Sequence, residues 1–236
     1  MTKYKGKLYL IPAPLGDNPV EEVIPKHVLE TACSLRRFVV EQTRTARRFL
    51  SRYGLKGHVD ELEFHELNEQ STDDEVRSLM SLFDGCDVGL LSEAGLPAVA
   101  DPGARLVELC HLQGVEVVPL VGPSSLMMAL MASGLNGQCF EFCGYIPAKA
   151  DSRKAALRSL EKESRAASRS EIIIETPYRN DALFADMLQN LSPDTRICVA
   201  ADISLPTQYI RTARVAQWRK APITIGKRPC VFIILA

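Results

Sequence analysis

Gly114-Val115-Glu116-Val117-Val118-Pro119-Leu120-Val121-Gly122-Pro123-Ser124 is the stretch that decides the fold. Its valine-rich run predicts a strand over Val115–Pro119, and the Gly-Pro pair after it predicts a tight turn. Ser124 or Ser125 can then cap a helix that runs to Ala132 and stops at Gly134. Strand, tight loop and helix in succession form the repeating unit of a parallel α/β sheet. The same alternation recurs upstream. Short apolar runs predict strands at Lys7–Ile11, Arg37–Val40 and Val88–Leu91, and helical spacing marks Pro25–Ser34, Ala46–Tyr53, Ser71–Phe83 and Gly103–Gln113. Downstream the character changes. Asp151–Ala167 is charged and helical, Glu171–Glu175 a strand and Asp181–Leu191 a helix. Arg196–Asp202 and Cys230–Leu235 are further strands, and such closely connected strands suit a mixed sheet. The boundary lies near residues 120–125, giving an N-terminal α/β domain over 1–121 and a C-terminal α/β domain over 122–236.

The 236 residues are 46% hydrophobic and 24% charged, as in ordinary soluble globular proteins. With 28 Lys and Arg against 29 Asp and Glu, the net charge is -1, so any affinity for nucleic acid must come from a local patch. The seven cysteines form no CxxC pair and sit mostly in apolar runs, which predicts reduced core thiols and no metal site. Met1–Lys7 is polar and basic, and the apolar run after it is too short for a signal peptide. No run reaches the ~18 apolar residues of a membrane span. The expected location is the cytoplasm, with no membrane partner.

Three loops follow predicted strand ends, where open α/β sheets place their ligands. They are Pro12-Ala13-Pro14-Leu15-Gly16, the long loop from Ser92 to Gly103, and Val121-Gly122-Pro123-Ser124-Ser125. Their glycines and prolines either punctuate the chain or fix turns that aim backbone N–H and C=O groups at a ligand.

These loops carry a resemblance. Tyr9-Leu10-Ile11-Pro12-Ala13-Pro14-Leu15-Gly16 resembles the opening motif of the tetrapyrrole methylase superfamily, in the branch that methylates a cytidine 2'-hydroxyl of bacterial small-subunit rRNA. Val40-Glu41-Gln42-Thr43-Arg44-Thr45 and Phe64-His65-Glu66-Leu67-Asn68-Glu69-Gln70 are similar to motifs of that branch, and so are Ser92 to Gly103, Val118 to Ser124 and Phe142 to Lys149. The resemblance implies two α/β domains with S-adenosylmethionine in the cleft between them, a homodimer, and small-subunit rRNA as acceptor. It implies that the cofactor is lined by Pro12, Pro14, Leu15, Gly16, Ser92, Glu93, Ala94, Gly95, Pro97, Asp101, Gly122, Pro123, Ser124, Ser125 and Glu175.

Methyl transfer to a ribose hydroxyl is helped by a base within hydrogen-bond reach. Glu41 is the first candidate; its other readings are a helix N-terminal acid or a partner of Arg44 or Arg47. Asp101 is the second; alternatively it shapes the cofactor loop or caps the helix from Gly103. Arg44 and Arg47, with Arg48 beside them, either receive RNA phosphates or form a solvated helix face. His65 and Asn68 are further candidates for substrate contact, His65 with a purely structural alternative. Arg153, Lys154, Arg158 and Lys162 form a second basic cluster that i to i+4 pairing explains equally well. Met127, Met128 and Met131 suit core or dimer packing.

The chain departs from the branch at several places. Gln42 stands where relatives have Asp, Glu93 for Asp, Leu96 for Thr, and Tyr178 for His. Ala201 and Leu205 replace an Arg and a Lys, and Arg228-Pro229 replaces Gly-Glu. Two other readings therefore remain. One keeps the cofactor but methylates a tetrapyrrole or another small acceptor. The other is a protein that binds S-adenosylmethionine without turnover.

Overall fold

A computed structural model describes residues 6–236; residues 1–5, within the polar stretch considered above, lie outside the described residues. The chain divides into two compact units, Met1–Ser124 and Ser125–Ala236.

The first unit runs β1 (Lys7–Ile11), α1 (Val20–Val23), α2 (Lys26–Ser34), β2 (Arg37–Val40), α3 (Thr43–Leu50), β3 (Glu63–Glu66), α4 (Asp73–Ser78), β4 (Val88–Leu91), α5 (Ala104–Gln113) and β5 (Glu116–Pro119). Its five strands are all parallel, in the order β3-β2-β4-β1-β5. Leu91 pairs with both Ile11 and Val40, so β1, β2 and β4 end level and release their loops side by side. The central strand β4 is buried throughout. Gly89 is required there, because a Cβ would fall 2.7 Å from Ile11 Cδ1 and 2.8 Å from Phe38 Cδ1. Phe38, Val28 and Leu50 pack one apolar cluster of this unit, and Leu8, Val39, Phe83 and Leu106 another.

Two predicted helices differ in detail. The one read as Ala46–Tyr53 begins at Thr43 and continues beyond Leu50 through a wider turn to Leu55, with Gly54 (φ 123°) marking the kink. Its start is capped from outside the helix. Gln42 makes no side-chain cap, and Glu66 on β3 instead accepts the Thr43 N–H at 2.9 Å, a bond that holds its carboxyl below the usual range. The helix read as Ser71–Phe83 starts at Asp73, where Thr72 and Glu75 form a reciprocal capping box, and it tightens into a 3-10 turn from Leu79.

The second unit runs α6 (Ser125–Ser133), β6 (Phe140–Tyr145), α7 (Ala150–Ala167), β7 (Ser170–Ile174), α8 (Asn180–Asn190), β8 (Arg196–Ala201), β9 (Tyr209–Arg214), α9 (Val215–Lys220) and β10 (Cys230–Leu235). Its sheet has the order β6-β7-β10-β8-β9 and is mixed: β6 and β7 are parallel and the other pairs antiparallel. Trp218, Phe184 and Phe232 centre its core, Trp218 donating its indole N–H to the Ile197 carbonyl at 3.1 Å. Arg165 of α7 pairs with Glu161 of the same helix at 4.0 Å, but two members of the basic cluster find partners outside it. Arg153 pairs with Asp186 of α8 at 2.5 Å and Arg158 bonds Asn190, so i to i+4 pairing is not what holds them.

All seven cysteines are unpaired. Burial pushes the Cys110, Cys143 and Cys230 thiols up to about 12. Cys86 is exposed, so the reading of the cysteines as core thiols fails for it. A small aromatic disulfide reagent at neutral pH is expected to modify Cys86 first. Cys86→Ser should remove that fast phase, and a fast phase that persists would place the reactive thiol elsewhere.

Candidate active site

The three loops meet within the first unit. Ala13 and Gly95 exchange backbone hydrogen bonds at 2.8 and 3.0 Å, tying the loop after β1 to the loop after β4. Gly122, after β5, lies so close to the first loop that a Cβ on it would sit 2.1 Å from Pro12 Cβ. A Cβ on Gly95 would lie 3.3 Å from Leu15 Cδ2 and 3.6 Å from the Pro123 carbonyl. Pro12, Pro14, Ser92, Gly95 and Pro97 are buried, Leu15, Gly16, Gly122, Pro123 and Ser124 half-buried, and Glu93 and Ala94 exposed.

The loop after β4 has an uncommon backbone. Gly95, Ala98 and Ala100 all have positive φ, at 70°, 64° and 54°. Left-handed alanines cost energy and persist only where the surroundings enforce them. Asp101 does part of that enforcing: its Oδ1 accepts the N–H groups of Ala98 at 3.2 Å and Gly103 at 2.8 Å. Its carboxyl is raised above the ordinary value by burial, which outweighs those two bonds. Asp101 thus combines two of its readings, shaping the loop and holding the N–H that leads into α5. Ser92, buried at the loop's start, donates its hydroxyl to the Ala94 carbonyl at 3.4 Å.

Glu41 follows β2 directly and is half-buried beside this loop. Desolvation raises its carboxyl first, then repulsion from Asp101 and Glu93, while the Glu93 N–H bonds to it and opposes the rise. Glu41 caps no helix, because Gln42 is the residue at the start of α3. Nor does it pair with Arg44 or Arg47. The Arg47 guanidinium is bound to Asp60 and lies 5.8 Å from the Phe64 ring. Arg44 and Arg48, four residues apart on α3, are exposed and make no ion pair among the described residues.

His65 on β3 is bonded to Glu63 at 2.8 Å. Asn68 accepts the Gln70 N–H at 2.9 Å and shapes the turn after β3. Both line an open groove of about 620 Å³ together with Phe64, Ser71 and Glu75. Ser125 and Glu175 belong to the second unit, Ser125 opening α6. Glu175 is buried after β7; its Oε1 bonds Thr176 and Arg179, while its buried Oε2 has no partner. On α6, Met127 and Met131 are 43% and 79% exposed, so core packing does not account for them.

The family model of the tetrapyrrole (corrin/porphyrin) methylases matches residues 7–218. The chain belongs to that family. It is a methyltransferase. The ribosomal RNA small subunit methyltransferase I of Vibrio cholerae is 33% identical over 211 residues, which cover 89% of this chain and 69% of that protein. The protein of the same name from Neisseria meningitidis serogroup B is 35% identical over 216 residues, covering 92% and 70%. Among solved structures, the uroporphyrin-III C-methyltransferase of Thermus thermophilus in complex with S-adenosylhomocysteine is similar in fold. It has a TM-score of 0.58 at 16% identity, covering 98% of this chain and 97% of that one.

The methyltransferase also uses residues that its sequence did not single out. Tyr53 donates its buried hydroxyl to the Pro12 carbonyl at 2.7 Å, and Arg52 binds the Asn18 carbonyl and Asp17. Together they brace the first loop from the turn beyond α3. Nothing local marks them, since their partners lie 34 to 41 positions away.

Proposed function

We propose that this chain transfers a methyl group from S-adenosylmethionine to the 2'-hydroxyl of a cytidine in small-subunit ribosomal RNA. The observation that carries the reading is Glu41, a half-buried carboxylate raised above its ordinary value by desolvation beside loops built for main-chain recognition. Those loops fit the cofactor. Three left-handed residues in one loop, and a glycine pressed against Pro12, fold these segments closely together, a backbone arrangement suited to main-chain recognition of an adenosine and an amino-acid moiety. When bound, the cofactor supplies an electrophilic methyl on a sulfonium centre. The Pro12, Ser92–Asp101 and Gly122–Ser124 segments hold and orient it. Glu41 accepts the hydroxyl proton, and Asp101 keeps the loop in shape. Arg44 and Arg48 take phosphates, with His65 and Asn68 along the groove beyond β3. The names of the relatives support rRNA as acceptor.

The protein is also proposed to act in the cytoplasm as a homodimer. The exposed Met127 and Met131 on α6 support a covered apolar face. No helix among the described residues is long and apolar enough to cross a membrane.

The test is transfer of radiolabelled methyl from S-adenosylmethionine to 30S subunits isolated from cells lacking the activity. Label is expected in a single cytidine of the rRNA, as a 2'-O-methyl group. Cofactor binding without label in the rRNA would exclude this acceptor.

A further inference from the structure

The strand directions in the second unit gather particular side chains at one end of its sheet. The last residues of β6, β7 and β8 lie at the same end as the first residues of β9 and β10. Tyr145 closes β6, a 3-10 turn Pro177–Arg179 follows β7, Arg228 precedes β10, and Tyr209 opens β9. Adjacent strands lie ~4.8 Å apart, so Tyr145 and Tyr209 are about 19 Å apart across this end. Tyr145 and Tyr178 are 58% and 72% exposed. The Arg179 guanidinium lies 5.8 Å from the Tyr178 ring centre, and that of Arg228 5.9 Å from the Tyr209 ring centre.

Both arginines are anchored from the buried side. Glu175 Oε1 takes Nε and Nη2 of Arg179 at 2.9 and 2.6 Å. Buried Asp202 faces Nη1 of Arg228 at 3.7 Å, and the Ile225 carbonyl accepts its Nε at 2.8 Å. Nη1 of Arg179 and Nη2 of Arg228 have no protein acceptor among the described residues. Lys227 adds an exposed cation next to Arg228. A fixed guanidinium loses less freedom on meeting a ligand than a mobile one. Exposed rings interleaved with oriented N–H donors suit unpaired bases, which stack on aromatic faces, and phosphates, which accept from guanidinium forks.

We infer that this sheet end binds a single-stranded segment of the acceptor RNA, with Tyr145 and Tyr178 stacking bases and Arg228 contacting a phosphate. The inference rests on the rRNA reading above and extends it to the second unit. It gives a role to the oriented cationic charge at Arg228.

The experiment is steady-state methylation of 30S subunits by the full-length protein, with cofactor affinity measured separately by calorimetry. Tyr178→Ala, at an exposed position, is expected to raise KM for 30S subunits about ten-fold, at the lower end of what losing one stacked base gives. Tyr178→Phe, which keeps the ring, should restore the wild-type value, and affinity for S-adenosylmethionine should not change in either variant. Arg228→Gln should flatten the salt dependence of binding by about one phosphate contact. Wild-type KM in both Tyr178→Ala and Tyr145→Ala overturns the inference. So does sedimentation of either variant as a monomer where the parent is a dimer, which would make this end a subunit interface. If the parent protein labels no rRNA at all, the proposed function itself fails, a result distinct from either of these.

Discussion

Glu41→Gln is expected to lower kcat roughly 10²- to 10⁴-fold, the range for loss of a positioned general base. Affinity for S-adenosylmethionine should stay within about two-fold, because the substitution removes a proton acceptor rather than a binding contact. The amide oxygen can still accept the Glu93 N–H, so the local backbone is retained. Stability should move the other way. The folded carboxyl is raised above its ordinary value, chiefly by desolvation and then by Asp101 and Glu93, so the folded state holds the proton more tightly than the unfolded one. Its contribution to stability therefore declines as pH rises through the window above the ordinary glutamate range. A neutral Gln removes that cost, and the variant should melt at the same temperature as the parent or higher at neutral pH. The acid limb of the parent's pH–rate profile should lie above the usual glutamate range and vanish in the variant. Calorimetry, thermal melting and single-turnover methylation together check these points. Parental turnover in Glu41→Gln would remove Glu41 from the chemistry.

This carboxylate could be named from the sequence because it follows a legible strand. Its environment could not. β1, β2, β4 and β10 match their predicted bounds to the residue, each being an apolar run in the interior of a sheet. The strands that went unread are β3, β6 and β9, and each lies at a sheet edge. An edge strand needs few apolar residues, and Glu63-Phe64-His65-Glu66 or Tyr209-Ile210-Arg211-Thr212-Ala213-Arg214 has no run to betray it. The same limit applies to the charges. Glycine and proline announce a loop locally, which is why the three loops could be located. The Arg47–Asp60 and Arg153–Asp186 pairs join separate elements, so no spacing rule reaches them. Met127 and Met131 have the spacing of a buried helix face, and periodicity alone does not reveal that both are exposed.

Gly122→Ala should have the second large effect, through a single methyl group. The added Cβ would lie 2.1 Å from Pro12 Cβ and 2.3 Å from Pro12 Cγ, far inside contact distance. A proline ring cannot swing aside, and the Pro12 carbonyl is held by the buried Tyr53 hydroxyl at 2.7 Å. Ala13, next in the chain, is bonded in both directions to Gly95. The strain must therefore be relieved by moving the Val121–Ser124 segment away from the other two loops. If all three loops grip the methyl donor, its affinity should fall at least ten-fold, about 1.4 kcal/mol. The sheet beneath is untouched, so the far-ultraviolet dichroism should be unchanged and unfolding should remain cooperative. Gly137→Ala is the matched control, since a Cβ there meets nothing within 4 Å. Titration of both variants with S-adenosylmethionine distinguishes the cases. Parental affinity in Gly122→Ala would mean that the donor does not depend on how closely these loops approach one another. The main-chain grip argued from Gly95, Ala98 and Ala100 would then have to be sought elsewhere.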